Sequence, residues 1–73
     1  MKIEILIKMA NNIGDFFNAE SNKEIAAEGV AKHILRSWDP RMRRNIIAYC
    51  QQDGSGLSDL VKTAVSRLDQ GQQ

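Results

Sequence analysis

Apolar residues recur every three or four positions along most of the chain, and this spacing limits its fold more than any other feature. The spacing places apolar side chains along one face of an α-helix. The chain is therefore predicted to be all-α, a small single-domain bundle of about four short helices spanning residues 1–73. The predicted helical ranges are 3–19, 22–37, 40–52 and 58–68. The polar residues 69–73 are predicted to form a frayed tail.

The first residues allow a second interpretation. Ile3, Ile5 and Ile7 alternate with other residues, as they would in a β-strand. A helix is favoured because the 3.6-residue pattern continues from these positions without interruption.

Local signals mark the starts of the later helices. Ser21 with Glu24 three residues later matches a capping box, which predicts the start of the second helix. Asp39 followed by Pro40 predicts the start of the third, since Asp is a good N-cap and Pro suits the first helical position. The segment 54–56 (Gly-Ser-Gly) predicts a turn, because it lacks the Gly-Lys-Ser/Thr ending of a phosphate-binding loop.

The composition excludes several kinds of site. A chain of 73 residues buries only about 60% of its unfolded surface, so its core is expected to be marginal. Cys50 and His33 are the only cysteine and histidine, which excludes an internal disulfide and a zinc site of four Cys or His ligands. Helical phase puts Cys50 on an apolar face and His33 on a polar face. No Cys–His catalytic pair, metal site or cofactor site is therefore expected.

The charge and hydropathy restrict location and partners. A net charge of +1 gives little general attraction to nucleic acid or to anionic membranes. No apolar run approaches the roughly 18 residues of a membrane span, and the segment 1–8 lacks the features of a secretory signal. A cytoplasmic protein without membrane association is expected. A helical nucleic-acid-binding module using Lys32, Arg36 and the later arginines, or a self-associating homo-oligomer, remains an alternative.

The segment from Trp38 to Arg44 joins one aromatic residue to three arginines. Arg43 falls among apolar residues of the third helix, so its charge needs a carboxylate or carbonyl partner. That partner is either an acid of this chain, Asp39 or Asp15, or a group on another protein. Trp and Arg are enriched at the energetic centres of protein interfaces, so this segment is also a candidate docking surface.

Phe16 and Phe17 are both expected to contact the core by default. Adjacent residues of a helix diverge by about 100°, so one ring is expected at the margin of the core, where it is free to meet a partner. Phe17 is assigned this position. The complete set of predicted partner-binding residues is Phe17, Trp38, Pro40, Arg41, Arg43 and Arg44.

Three blocks of the chain resemble the delta subunit of NAD-dependent formate dehydrogenase. They are residues 8–17 (KMANNIGDFF), 33–43 (HILRSWDPRMR) and 56–61 (GLSDLV). The blocks occur in the expected order between about Leu6 and Leu68. Trp-Asp-Pro-Arg-Met-Arg, at 38–43, is the most specific piece.

The resemblance implies a role within a larger enzyme. This family is the smallest subunit of a soluble, cytoplasmic complex that oxidises formate to carbon dioxide and reduces NAD. The molybdenum or tungsten pterin, iron–sulfur clusters and flavin belong to the larger subunits, so no cofactor is expected on this chain. The chain is then a non-catalytic accessory subunit that supports assembly, stability or cofactor loading. Its expected partners are the larger subunits, chiefly the catalytic molybdopterin-type subunit.

Overall fold

A computed structural model describes residues 1–71, with side chains described as far as Asp69. The elements in order are α1 (Ile3–Phe17), α2 (Lys23–Ser37), α3 (Pro40–Gln52) and α4 (Asp59–Gly71). Residues 1–71 contain no β-strand, so the all-α prediction is confirmed and the first residues are helical. No helix in this range combines the length and apolar composition that a membrane crossing requires.

The helix ends differ from the predicted ranges by a few residues. α1 ends at Phe17 rather than at residue 19, and α4 continues to Gly71 rather than stopping at 68. Part of the predicted frayed tail, residues 69–71, is therefore helical. Residues 72 and 73 lie outside the described part of the chain.

The start of α2 corrects the predicted capping box. Asn22, not Ser21, is the N-cap, and its side-chain oxygen accepts hydrogen bonds from the backbone N–H groups of Glu24 and Ile25 at 3.0 and 3.3 Å. Asn caps a helix as well as Ser does, so the residue placed nearest the free N–H groups takes the role.

The start of α3 agrees with the prediction. The Asp39 carboxylate accepts from the Met42 backbone N–H at 2.9 Å, and Pro40 opens the helix. The capping carboxylate satisfies one of the N–H groups that a helix start leaves without an intrahelical partner.

The core lies between all four helices and is apolar throughout the described side chains. α4 packs most extensively on α2, and α1 packs against each of the other three helices. Alanines that are fully buried let the helix axes approach one another closely. The buried residues are Leu6, Ala10, Ala26, Ala27, Val30, Ile34, Trp38, Ile46, Leu57, Val61, Ala64, Val65 and Leu68.

Two glycines mark the closest approaches between helices. A Cβ atom at Gly14 of α1 would lie 2.6 Å from Cγ2 of Val61 in α4. A Cβ atom at Gly29 of α2 would lie 2.6 Å from the ring of Phe17. Both distances are shorter than real Cβ contacts, so any larger residue at either position would clash with Val61 or Phe17. Phe17 of α1 thus makes the close contact at Gly29 of α2.

The connection between α3 and α4 turns through two glycines with positive φ, Gly54 (73°) and Gly56 (87°). This backbone region strongly favours glycine, and the predicted turn is confirmed. The hydroxyl of Tyr49 donates to the Ser55 carbonyl oxygen at 2.5 Å and fixes the turn to α3.

Asn11 joins this turn to α1. Its side-chain Nδ2 donates to the Gly56 carbonyl oxygen at 2.7 Å, and its Oδ1 accepts from the Ser58 backbone N–H at 3.1 Å. The Ser58 hydroxyl in turn accepts from the Val61 N–H at 3.3 Å, which makes Ser58 the cap of α4. One asparagine therefore sets the position of α4 relative to α1.

Replacing Asn11 by Ala should lower the free energy of unfolding by about 1 kcal/mol relative to Asn12→Ala, because two hydrogen bonds are lost. Both substitutions change Asn to Ala within α1, so the gain in helix propensity cancels between them. Asn12 is exposed on the same helix. Urea unfolding followed by circular dichroism measures the difference. Equal unfolding midpoints for the two variants would contradict the proposed role of Asn11.

Gly14→Ala should destabilise the protein, although Ala ordinarily improves a helix by about 1 kcal/mol relative to Gly. The added methyl group meets the fully buried Val61, and such overpacking costs about 1–3 kcal/mol. Thermal unfolding of Gly14→Ala, Val61→Ala and the double variant forms a cycle that isolates the contact. The two substitutions should be less damaging together than their sum. A raised Tm for Gly14→Ala alone would contradict the close packing.

Candidate interaction surfaces

The residues that most often carry chemistry are dispersed in this fold. No group of three or more His, Cys, Asp or Glu side chains within residues 1–69 is placed to hold a metal ion. Cys50 is half-buried between α3 and α4, near Ile47 and Val65. His33 is half-buried on α2, with its ring centroid 6.4 Å from that of Phe17. Cys50 and His33 thus contact different parts of the bundle.

A depression of about 430 Å³ lies where the starts of α2 and α4 meet the end of α1. Lys23 Nζ donates to the Asn18 carbonyl and side-chain oxygens and to the Glu20 carbonyl oxygen, at 2.9, 3.1 and 3.0 Å. Lys23 therefore braces the connection between α1 and α2. The carboxylates of Glu24 and Asp59 line the same depression, and Glu24 is paired with Arg67.

Trp38 stands at the junction between α2 and α3, which we call the elbow (residues 36–44). Its backbone is extended, with φ −95° and ψ 141°, and its N–H donates to the Ile34 carbonyl oxygen at 2.8 Å. The side chain is only 4% exposed and belongs to the core. The chain's own core thus covers most of the indole, and the predicted partner-binding role of Trp38 stays a prediction.

Arg43 is bound to the fold rather than to an acid. Its Nη1 donates to the carbonyl oxygens of Trp38 and Leu35, at 2.5 and 3.3 Å. These carbonyls lie at the end of α2, where helix geometry leaves such groups without intrahelical partners. The expected internal pair with Asp39 or Asp15 is therefore not formed, and the carbonyl alternative is the one observed. Arg43 Nε is buried and has no hydrogen-bond partner within residues 1–69.

The other arginines of the elbow are exposed. Arg36, Arg41 and Arg44 have no carboxylate within 4 Å among the described residues, whereas Lys32 pairs with Glu28 at 3.3 Å. Five of the ten Lys and Arg residues, but only one of the nine acids, fall between positions 32 and 44. This segment carries a formal charge of +4 in a chain whose total is +1. Pro40, also exposed, fixes the start of α3 beside these arginines.

The two phenylalanines at the end of α1 differ in exposure. Phe17 is half-buried, because the bare backbone of Gly29 leaves room for its ring. Phe16 is 77% exposed, with its ring centroid 5.1 Å from that of Phe17 in an edge-to-face arrangement. Phe16, which was not among the predicted partner-binding residues, is therefore the more exposed ring, and the partner-binding role of Phe17 stays a prediction.

Phe16 lies in a shallow groove between α1 and α2. The groove measures about 320 Å³, is almost wholly apolar and is lined by Asn12, Ile13, Phe16, Phe17 and His33. Along α1, Ile5 is 47% exposed, and Met9 and Ile13 are half-buried. We call Ile5, Met9, Ile13 and Phe16 the α1 face. Their spacing of four, four and three residues is the signal in the sequence that predicts a shared side.

The sequence matches the family model of the NADH-dependent formate dehydrogenase delta subunit, FdsD, over residues 5–65. This range includes the elbow and the α1 face. The chain belongs to the FdsD family. The resemblance seen in the three sequence blocks is thus confirmed, and the chain is a delta subunit that associates with other subunits of formate dehydrogenase. No curated protein and no solved structure matches the chain.

Trp38→Ala should unfold this delta subunit in isolation. Truncating a buried Trp costs about 3–5 kcal/mol, and a domain of this size has a total stability of roughly 3–5 kcal/mol. Leu35→Ala is the control, since Leu35 lies on the neighbouring turn and is 49% exposed. Circular dichroism and thermal melting measure the effect. A Trp38→Ala variant that melts normally but no longer binds other subunits would restore Trp38 as a partner anchor.

Proposed function

We propose that this FdsD-family chain is a non-catalytic accessory subunit. It docks on the larger formate dehydrogenase subunits, chiefly the catalytic molybdopterin-type subunit, and supports assembly, stability or cofactor loading. The observation that carries the proposal is the exposed set Arg36, Arg41 and Arg44, for which the described part of the chain supplies no carboxylate.

The arginines of the elbow suit recognition of acidic groups. A guanidinium group is planar and always charged, and it binds a carboxylate through two parallel hydrogen bonds. A solvent-exposed ion pair contributes only about 0–1 kcal/mol. Binding through these residues therefore requires a partner surface that excludes water around them, which an extended protein interface provides.

The elbow presents the arginines from a rigid support. Trp38 is packed in the core, the Asp39 carboxylate caps α3, and Arg43 ties α3 to the end of α2. A surface that is already ordered loses less conformational entropy on binding. Arg43, assigned to partner binding from the sequence, then contributes by holding Arg41 and Arg44 in position.

The proposal assigns no cofactor to this subunit. Cys50 is the only cysteine, whereas an iron–sulfur cluster takes about four thiolate ligands. The redox groups of the enzyme are then held by other subunits, and this subunit acts on them only by binding the proteins that hold them.

Expressing the other subunits without this chain should lower formate-dependent NAD reduction and the metal content of the purified enzyme. Adding the wild-type chain should restore both. The Arg36→Glu/Arg41→Glu/Arg44→Glu variant should bind the other subunits at least about tenfold more weakly, because each interfacial carboxylate now meets a like charge. Its melting temperature, measured alone, should stay near that of the wild type.

Lys2→Glu/Lys62→Glu is the control, since it reverses charge at exposed positions far along the chain from the elbow. Full activity and metal content in the absence of the chain would contradict the accessory role. Unchanged binding by the arginine variant would contradict the elbow as the docking surface. A gel shift of random duplex DNA at low salt that disappears in the arginine variant would favour the nucleic-acid alternative instead.

A further inference from the structure

The α1 face has more apolar surface than the bundle uses. Leu6 and Ala10 of α1 are fully buried, yet Ile5 and Phe16 on the adjoining side of the same helix are 47% and 77% exposed. Large apolar side chains in contact with water are unfavourable by about 25 cal/mol for each Å² that burial would remove. Ile25 and Leu35 of α2 are also about half exposed, but Phe16 is the most exposed large apolar side chain and lies beside an apolar groove, a combination that is typical of a surface that a partner covers.

The groove lies between two helices, the end of α1 and α2. α2 folds back along α1, so that the Phe17 ring lies on Gly29 and beside His33. The end of α1, with Ile13 and Phe16 of the α1 face, therefore forms one wall of the groove, and His33 of α2 lies on the other. Amphipathic helices bind apolar grooves through residues spaced three, four and seven positions apart, which places their apolar side chains on one face.

The charges along the second wall distinguish its two ends. From His33, near the middle of the groove, α2 continues to Arg36 and then into the positively charged elbow. Arg36 has no acidic partner among residues 1–69, while Lys32 is paired with Glu28. An occupant is therefore favoured if its acidic residues lie at the end that approaches Arg36.

We propose that the groove between α1 and α2 binds an amphipathic helix of another formate dehydrogenase subunit. The large apolar residues of that helix contact Phe16 and the rest of the α1 face, and acidic residues near one of its ends meet Arg36. This inference rests on the proposed function for the identity of the enzyme to which the helix belongs. It adds a second surface and names the kind of segment that fills it.

A second copy of this chain fits the groove less well. Each copy would bring the same segment of residues 32–44, with its formal charge of +4, to a shared interface. Such like charges oppose association and supply no acidic residue for Arg36. A helix from a different subunit meets no such restriction.

Phe16→Ser should weaken binding to the purified remainder of the enzyme at least about tenfold, as expected for an aromatic residue at the centre of an interface. Ile25→Ser is the matched control, because Ile25 is a large apolar residue of α2 that is 54% exposed and does not line the groove. Arg36→Glu should also weaken binding and reduce its dependence on salt. Binding is measured by biolayer interferometry at several salt concentrations, and circular dichroism verifies the fold of each variant.

A photo-reactive phenylalanine analogue at position 16 provides a second measurement that does not depend on affinity. Mass spectrometry should locate the cross-link in a helical segment of another subunit with acidic residues near one end. Cross-links only to a second copy of this chain, or equal binding by Phe16→Ser and Ile25→Ser, would overturn the inference. If even the wild-type chain fails to bind the remainder of the enzyme, the proposed function fails as well, so the two failures are distinguishable.

Discussion

The burial of Trp38 at the end of α2 is the contact on which the arrangement of this subunit depends. The indole fills the core where α2 gives way to α3, and only 4% of it remains exposed. The backbone carbonyl oxygen of Trp38 lies at the end of α2 and has no partner within the helix. It accepts a hydrogen bond from Arg43, and this bond fixes the direction of α3. Because both ends of the elbow are held in this way, Arg41 and Arg44 project from an ordered backbone.

A small domain has a small hydrophobic core and therefore few buried contacts of this kind. The described part of this chain buries no polar or charged side chain, and close helix packing depends on alanines and on Gly14 and Gly29. On the α1 face, Ile5 and Phe16 remain 47% and 77% exposed. Binding a partner there adds to the stability of the folded state, because a ligand of the folded state alone shifts the unfolding equilibrium. Marginal stability and partner binding are thus linked by the same surplus of apolar residues.

The two candidate surfaces differ in the physics they offer. The elbow supplies charge on a rigid support, which favours orientation and the rate of association. The α1 face supplies apolar area, which contributes most of the affinity of a protein interface once water is excluded. The groove beside the α1 face lies close to the elbow, because Arg36 is one helical turn beyond His33 on α2. A partner that covers both surfaces would combine directed association with slow dissociation.

The sequence by itself determined the helices and most of their boundaries. Apolar periodicity, the Asp39-Pro40 start of α3 and the glycine turn before α4 act within a few residues of one another, so they can be recognised without a tertiary model. The three blocks that resemble the delta subunit were likewise recognised from the sequence, and the family model matches the chain over residues 5–65. Local signals failed at the start of α2, where two good caps, Ser21 and Asn22, stand side by side, and at the ends of α1 and α4.

The tertiary structure alone decided which side chains face outward. Phe17 is half-buried because its ring packs on Gly29, twelve residues away, which has no side chain. Phe16, the next residue on α1, stays exposed. Trp38 is buried as part of the shared core, although its neighbours in sequence resemble an interface. Arg43 donates to backbone carbonyls rather than to an acid, because the carbonyls of Leu35 and Trp38 at the end of α2 lie within hydrogen-bond distance. Burial and pairing depend on residues distant along the chain, and helical periodicity gives the direction of a side chain but not what it meets.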